Sequence, residues 1–578
     1  MIINKIILKN WLDYAKKIQW SKFPKKVVKK KFNNRYDWFC DGKLNIYENC
    51  IENNIQNGYG DKNCIICINE TGNVTSYTYN QIKSLVINFS NFLTYKKKQI
   101  NKNKIRVMIH SSSSVESAVS MLACAKLGIV FCVIFEDLEK IAILKRIKLF
   151  KPDIFFFRKQ NNSIKNIIPK NTFQIRKIFN FKMKYKNQIS YFSSSRDFFV
   201  LFTSGSTGEP KGIVHSYGGY FLYCKYTCEK QFGMNSKSTI LCASDAGWIN
   251  GHTYALFGPL SFGATTILLE KPMILINIEI LKNILNFKVS IIYLPVTLIR
   301  LMRLMFKNKK INNIYLKTIG SMGEPLAPDV GSWYEKTFTN KNSAIINTYF
   351  QTETGGIICS PKSYHTNKLA PHGSVGKKVS QLITINQLSS KNKKEIKILS
   401  PWPGMMKKIL NNIKFWNKYW DERGNFKLFD LATKNRGSIY IHGRIDDVIN
   451  IRGHRVGSEE IESVILKIKN IQECAAISIK HELEGYVIYL FVVSKSNKVS
   501  KEIETIISTN FGSFAIPKRI YYVEELPKTK SGKILRRVIR NIVSNPNNNV
   551  IEDKSTILNK EAINIIKKSV IQYDDKKN

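Results

Sequence analysis

No stretch of the 578-residue chain approaches the roughly 18 uncharged apolar residues that a membrane span requires, so a membrane-crossing segment is not expected. Acidic residues are scarce: 43 Asp and Glu stand against 90 Lys and Arg, a formal charge of +47. Such an excess suggests nucleic acid or another polyanion as partner. The lysines, however, run along the whole chain beside Ile and Asn, as in TYKKKQINKNK (94–104), and only KFPKKVVKKKF (22–32) is a cluster. We therefore read the charge as background composition and expect no specific nucleic-acid partner. A second C-x-x-C or Cys/His pair is also lacking, so Cys64 and Cys67, in the strand-like NCIICINETG, have nothing with which to complete a zinc site. Eleven cysteines without a signal-peptide pattern do not make a disulfide framework, which predicts reduced thiols and a cytoplasmic protein. The opening MIINKIILKNWLDYAKK is basic and amphipathic like a transit peptide, but Asp13 and the continuous patterning into WFCDG predict a structural helix.

What is present is alternation. YNQIKSLVINFSNFL has helical spacing, IRVMIH reads as a strand, SSVESAVSMLACAKLG runs from serine caps to a glycine stop, and IVFCVIF is a buried-strand run. Further β runs at DFFVLFT, TTILLE, SIIYLP and SAIINTYF are flanked by helical segments, so residues 60–430 read as layered α/β sheet. Near 440 the pattern changes to short strands, a capped helix in SEEIESVILKI and a small sheet in AAISIK and VIYLFVVS. This predicts a large α/β domain over 1–443, with 1–58 as an N-terminal extension, and a small α+β domain over 444–578.

One stretch carries chemistry on its own. LFTSGSTGEPKG (201–212) places three glycines, four hydroxyl side chains and a lysine behind an apolar strand. Read as a loop between strand and helix, it would aim backbone N–H groups at an anion, helped by Thr203, Ser204, Ser206, Thr207 and Lys211. It is not a Walker A loop, which would need glycine at Pro210 and a hydroxyl residue at Gly212.

Four stretches in order, TSGSTGEPKG, YFQTETGG (349–356), GRIDDVINIRGHRVGSEEIE (443–462) and PKTKSGKILRR (527–537), resemble the signatures of the adenylate-forming (ANL) superfamily. Within it, SDAGWINGHTYALFGPLSFGATTILLE (244–270), GSMGEPLAP (320–328), SPWPG (400–404) and RYDWFCDGKLNIYENCIE (35–52) are similar to the acetyl- and propionyl-CoA synthetases. The resemblance implies a large layered α/β domain, a small mobile α+β domain, and ATP, Mg2+ and coenzyme A as ligands. It implies ligation of a short-chain carboxylate, acetate first, to coenzyme A through an acyl-adenylate. Propionate, or an acceptor other than coenzyme A, stands as the alternative.

Residue by residue, the resemblance puts the β- and γ-phosphates on the 203–211 loop, Mg2+ near Glu353 and the α-phosphate on Thr352. Adenine would lie between Gly323, Glu324, Pro325 and the run Asn347, Thr348, Tyr349, Phe350 and Gln351. The ribose would sit on Asp430, with Arg444 and Arg455 adding ribose or phosphate contacts. Lys533 matches the lysine that meets the forming mixed anhydride, and Asp446 the hinge about which the small domain turns between half-reactions. Trp248, Ile249, Asn250, Met322 and Phe350 would line the acyl pocket. Phe350 replaces the family's tryptophan, Asn250 a Thr or Val and Met322 a Val or Leu, a pocket too small for fatty acids. The F-G-G-F turn is Phe135, Glu136, Asp137, Leu138 here, which puts two acids near where the nucleotide end of coenzyme A would lie and motivates the other acceptor; T-G-D is L-F-D at Asp430, and Arg158, Lys159 and Lys165 are the nearest basic groups for the coenzyme's 3′-phosphate.

Overall fold

The computed structural model describes residues 4–138, 140–160, 169, 171–185, 188–204, 210–307, 309–338, 344–361, 370–380, 382–445, 448–451, 454–481, 485–494, 496, 499–511, 513–529, 532–545 and 557–575. The chain divides into two compact units, Met1–Asn386 with Lys397–Leu428, and Gln387–Ile396 with Phe429–Asn578. The composition shift near 440 thus falls inside the second unit, whose border lies at Leu428 because the hairpin Phe426–Asn435/Ser438–Arg444 pairs Asp430 with Arg444 and keeps its turn together.

The first unit holds two seven-stranded sheets. One runs, edge to edge, Lys408–Ile409, Pro210–Ser216, Asp197–Ser204, Val130–Ile134, Arg106–His110, Ile154–Phe157 and Thr172–Gln174. The other runs Ala344–Asn347, Thr318–Met322, Ile291–Pro295, Thr239–Cys242, Thr265–Leu269, Asn63–Ile68 and Val74–Thr78. Pairing is parallel through their centres and antiparallel only at edges. Parallel strands are buried on both faces, which is why they read as unbroken apolar runs. The helices between them begin and end where the sequence marks them. Thr78 and Gln81 form a reciprocal cap on Tyr79–Ile100, and Val115–Leu127 starts at Ser114 and stops at Gly128. The N-terminal stretch is a helix over Lys5–Ala15, whose Trp11 is buried against Trp38 and Tyr226.

The stretch is not followed directly by a helix: the strands Asp197–Ser204 and Pro210–Ser216 pair antiparallel in register Thr203↔Lys211, and the helix starts only at Tyr217. Pro210 is tolerated as the first residue of its strand, and Ile213 and Val214 extend the sheet to Ile409 and Lys408.

The second unit is an α+β sandwich. Ile471–His481 and Gly485–Ser494 pair antiparallel, and Arg519–Tyr522 joins the latter in parallel. One face packs Ile461, Ile465 and Ile503 from the helices Ser458–Ile465 and Ser500–Phe511. The other packs Ile539, Ile563 and Ile566 from Arg536–Ser544 and Glu561–Asp575. No described helix is long and apolar enough to cross a membrane. All eleven cysteines are free thiols, nine of them buried.

Candidate active site

In sheets of parallel strands, ligands bind beyond the carboxyl ends of the strands. Two neighbouring strands of the second sheet, Thr318–Met322 and Ala344–Asn347, deliver their ends together, with Ser321 opposite Asn347. Met322 is followed by Gly323, Glu324 and Pro325, and Asn347 by the run to Glu353, so the two segments assigned to adenine leave the sheet side by side. Gly323 is exposed at φ +92° with open space around it, and Glu324 pairs with Arg300 at 3.1 Å. Asn347 donates to the Ser374 carbonyl at 2.8 Å and accepts from Ser321 at 2.9 Å. Thr348 donates to the Ser321 carbonyl at 2.7 Å and shares a 2.6 Å bond with the Tyr293 hydroxyl. Buried polar groups satisfied in this way fix the start of the loop.

The loop's end is held more tightly. Gln351 and Thr354 bond each other reciprocally across a short helical turn, and Gln351 Nε2 donates to the Leu428 carbonyl at 2.6 Å. The Thr352 carbonyl accepts from His215 Nε2 at 2.8 Å, the Glu353 carbonyl accepts from the Met406 N–H at 2.8 Å, and the Thr354 carbonyl from Trp402 Nε1 at 3.0 Å. Gly355 closes the turn at φ +70°, where a Cβ would lie 2.0 Å from the Gly404 carbonyl oxygen, so only glycine fits. Every carbonyl from Thr352 to Thr354 is thus anchored, and the side chains of Thr352 and Glu353 are aimed by a rigid backbone. Glu353 is nearly buried and accepts from the Tyr419 hydroxyl at 2.6 Å.

A carbonyl oxygen only accepts, so His215 Nε2 carries the proton and Nδ1, buried without a partner, carries the lone pair. Burial holds this imidazole neutral, down to about 4. Burial also brings His252, which faces Phe199 at 4.5 Å, down to about 3. Both values lie below the ordinary 6.5, so the unfolded chain takes up these protons first as pH falls. Stability is complete above pH 6.5 and declines from there towards pH 3. Each fully buried histidine should cost about 2 kcal/mol at pH 5 relative to pH 7.5. Thermal unfolding followed at both pH values checks this: His215→Gln, which keeps an N–H for the Thr352 carbonyl, should recover about half of the loss.

Of the residues assigned to the acyl pocket, Asn250 and Met322 touch each other, while Phe350 and Trp248 each pack on a different neighbour. Asn250 Nδ2 donates to Met322 Sδ at 2.6 Å, while Asn250 Oδ1 is buried without a partner. One turn on, Tyr254 meets the edge of Phe350, ring centres 6.0 Å apart at 77°. Trp248 packs on Phe135 at 4.9 Å.

On the hairpin assigned to the outer phosphates, Thr203 and Lys211 are cross-strand partners and the Lys211 ammonium lies 4.6 Å from the Phe415 ring centre. Ser204 ends its strand, Ser206 and Thr207 lie outside the described residues, as do Asp446 and Lys165, and Arg455 is described only as part of the strand His454–Gly457. In the second unit, Arg444 Nε stands 3.9 Å from Asp430 Oδ1. Phe429, at the glycine position of the family's T-G-D, has φ +57°, a left-handed conformation that costs a side chain about 1–2 kcal/mol, and the Arg444 guanidinium covers its ring at 5.7 Å. Lys533 follows a tight turn in which the Thr529 N–H donates to the Lys533 carbonyl at 2.7 Å and the Lys533 N–H to Thr529 Oγ1 at 3.0 Å.

The models of three families match the chain: "AMP-binding enzyme" over residues 52–397, "AMP-binding enzyme C-terminal domain" over 460–533 and "Acetyl-coenzyme A synthetase N-terminus" over 8–50. The acetyl-coenzyme A synthetase of Helicobacter pylori (strain G27) is 31% identical, covering 98% of this chain and 93% of its own. The chain belongs to the acetyl-coenzyme A synthetase family of AMP-binding enzymes. A second member, from Leptospira biflexa serovar Patoc (strain Patoc 1 / Ames), is 31% identical over 93% of this chain and 90% of its own. The fold is that of the acetoacetyl-CoA synthetase from Streptomyces lividans, with a TM-score of 0.82 at 17% identity, covering 98% of this chain and 92% of that one.

For a family member, the surroundings of Arg158 are unexpected. Arg158 is buried and donates to both oxygens of Glu136, at 2.9 and 3.0 Å, and to both of Glu270, at 2.6 and 2.9 Å. Lys159 pairs with Glu70 at 2.8 Å. Arg158 has no fork to offer a coenzyme phosphate, and Glu136 is its partner rather than an unpaired charge at the coenzyme's path. His215, Tyr419 and Tyr254 were not singled out in the sequence. The histidine directly after an apolar strand run was the one available signal.

Proposed function

We propose that the protein joins a short-chain carboxylate, acetate first, to coenzyme A. In the first half-reaction a carboxylate oxygen attacks the α-phosphorus of ATP: the acyl O–P bond forms, the Pα–O bond to the β-phosphate breaks, and pyrophosphate leaves. In the second, the coenzyme A sulfur attacks the acyl carbonyl, the C–O bond to AMP breaks, and the thiol proton passes to solvent. The observation that carries this reading is the clamped turn at Thr352–Glu353 beside the paired strand ends at Met322 and Asn347. It offers a preorganised site for charge that develops at the α-phosphate. Thr203, Ser204, Ser206, Thr207 and Lys211 receive the outer phosphates in this proposal. Asp430 and Arg444 take the ribose, and Arg455 a phosphate.

Mg2+ fits as a companion of the nucleotide. Glu353 Oε1 is engaged by Tyr419, which leaves its second oxygen, and no cluster of three acidic, His or Cys ligands occurs among the described residues. That donor set suits an ion which keeps water and phosphate oxygens in its shell. Mg2+ would supply Lewis-acid neutralisation of the phosphates, while Glu353 orients it.

Free cysteines fit the reducing cytoplasm, where we place the protein. The pairing of Glu136 with Arg158 takes away one of the two acids, Glu136 and Asp137, that motivate an acceptor other than coenzyme A. The test is AMP formed from ATP and acetate or propionate, with and without coenzyme A. AMP release that requires both acid and coenzyme is expected, and release independent of coenzyme A would overturn the reading.

Chain-length selection rests on Phe350. Phe350→Gly should shift preference towards butyrate and longer acids, read as relative kcat/KM across a series of straight-chain acids. Because the ring is only partly buried, the stability cost should stay below the ~3 kcal/mol of a fully buried ring. An unchanged acid profile would remove Phe350 from the pocket.

A further inference from the structure

The first unit contains a cavity of about 990 Å³ that none of the residues assigned to nucleotide or acyl group lines. It is at the upper end of the roughly 300–1,000 Å³ of small-molecule sites. Eight of its twenty lining residues are Lys or Arg and two are acidic, whereas the whole chain has 90 Lys and Arg in 578 residues. Background composition would put about three cations there, so this concentration is not the general excess of the chain.

The two acids are already used. Asp153 holds Lys102 at 2.6 Å, and Asp197 holds Lys407 at 2.8 Å and Lys408 at 2.7 Å. Among the described residues, no carboxylate pairs with Lys104, Lys151 or the three arginines Arg35, Arg106 and Arg196. The arginines are nevertheless held in place. Arg196 Nε donates to the Gly128 carbonyl at 2.7 Å, Arg106 Nη1 to the Phe150 carbonyl at 2.9 Å, and each lies over an aromatic ring. Arg35 stacks on Trp416, its Nε buried with no partner. Guanidinium groups fixed by rings and carbonyls, with donors left over, are preorganised for bidentate oxyanions.

We infer that this cavity binds a nucleotide-sized small molecule carrying several phosphates, at a site separate from the active site. A polyphosphate neutralises the lysines and gives each arginine fork an acceptor. Because low-dielectric walls focus the field of these charges, the attraction persists where an exposed patch would be screened within about 8 Å.

The test uses the full chain with its nucleotide site filled by a non-hydrolysable acyl-adenylate analogue, in about 0.15 M salt. Inorganic tripolyphosphate and ATP are titrated separately by calorimetry. One equivalent should bind, and Lys104→Glu with Lys151→Glu, both on exposed side chains, should weaken it at least about tenfold. Acetate-dependent ATP–pyrophosphate exchange should stay within about twofold of the parent, a difference below ~0.5 kcal/mol. Equal affinity for the two probes means that phosphates alone are read, and tighter ATP means that the nucleoside adds contacts. Either supports the site. Absence of binding with the nucleotide site filled, or binding indifferent to the two charge reversals, overturns it. So does duplex DNA that binds more tightly than tripolyphosphate and is equally sensitive to the reversals, since the surface would then serve nucleic acid.

Discussion

Lys533→Ala will slow acyl-adenylate formation severely and leave thioester formation from supplied acetyl-adenylate largely intact. The turn that presents Lys533 is made by backbone groups and the Thr529 hydroxyl, so removing the side chain beyond Cβ leaves the local fold in place. What disappears is a point charge on a flexible stem, suited to following charge as it moves from carboxylate to phosphate. By comparison with other preorganised electrostatic groups, the loss should be about 10²–10³ in ATP–pyrophosphate exchange. Lys528→Ala is the control: Lys528 is engaged by Glu473 and should leave exchange unchanged. If Lys533→Ala slowed both half-reactions equally, the lysine would not be specific to adenylation, and the proposed division of labour would fail.

Arg158→Ala will destabilise the protein without weakening coenzyme A binding. Its guanidinium sits between Glu136 and Glu270 with four bonds of 2.6–3.0 Å. Removing the cation leaves two largely buried carboxylates with only the more distant Lys159, 3.6 Å from Glu270, in compensation, at a cost approaching about 3–5 kcal/mol. The midpoint of thermal unfolding should fall accordingly, and KM for coenzyme A should remain within about twofold, ~0.4 kcal/mol. Arg158→Met combined with Glu136→Gln and Glu270→Gln should regain much of the stability, because no charge is then left unpaired. A large rise in KM at unchanged stability would instead return Arg158 to the coenzyme's phosphate.

The sequence made the local features readable and hid the distant ones. The serine cap at Ser114, the glycine stop at Gly128 and the apolar strand runs are written within a few residues of where they act, and the structure has them there. The hairpin Asp197–Ser204/Pro210–Ser216 differs from the expected strand-to-helix loop because its second strand is defined by partners elsewhere: Ile213 and Val214 pair with Leu201 and Val200 on one side and with Ile409 and Lys408 on the other. No periodicity within 210–216 could reveal an edge supplied almost 200 residues later. Glu353 was legible from its motif, but not Tyr419, 66 positions on, nor His215, 137 positions before the carbonyl it holds. Glu136 looked like an acid at the coenzyme's path because its neighbour in space, Arg158, lies 22 residues away.

The buried cysteines acquire a further meaning in a protein whose second substrate is a thiol. Burial pushes Cys67 and Cys359 up to about 12 and raises Cys50, Cys124, Cys132 and Cys242 further. Thiol–disulfide exchange proceeds through the thiolate, and at pH 7 a thiol of that acidity is ionised to only about one part in 10⁵. Oxidised coenzyme A, an unavoidable companion of the reduced form, therefore finds no ready nucleophile among these six side chains. Held protonated, these six side chains are poor partners for a mixed disulfide with the enzyme's own substrate.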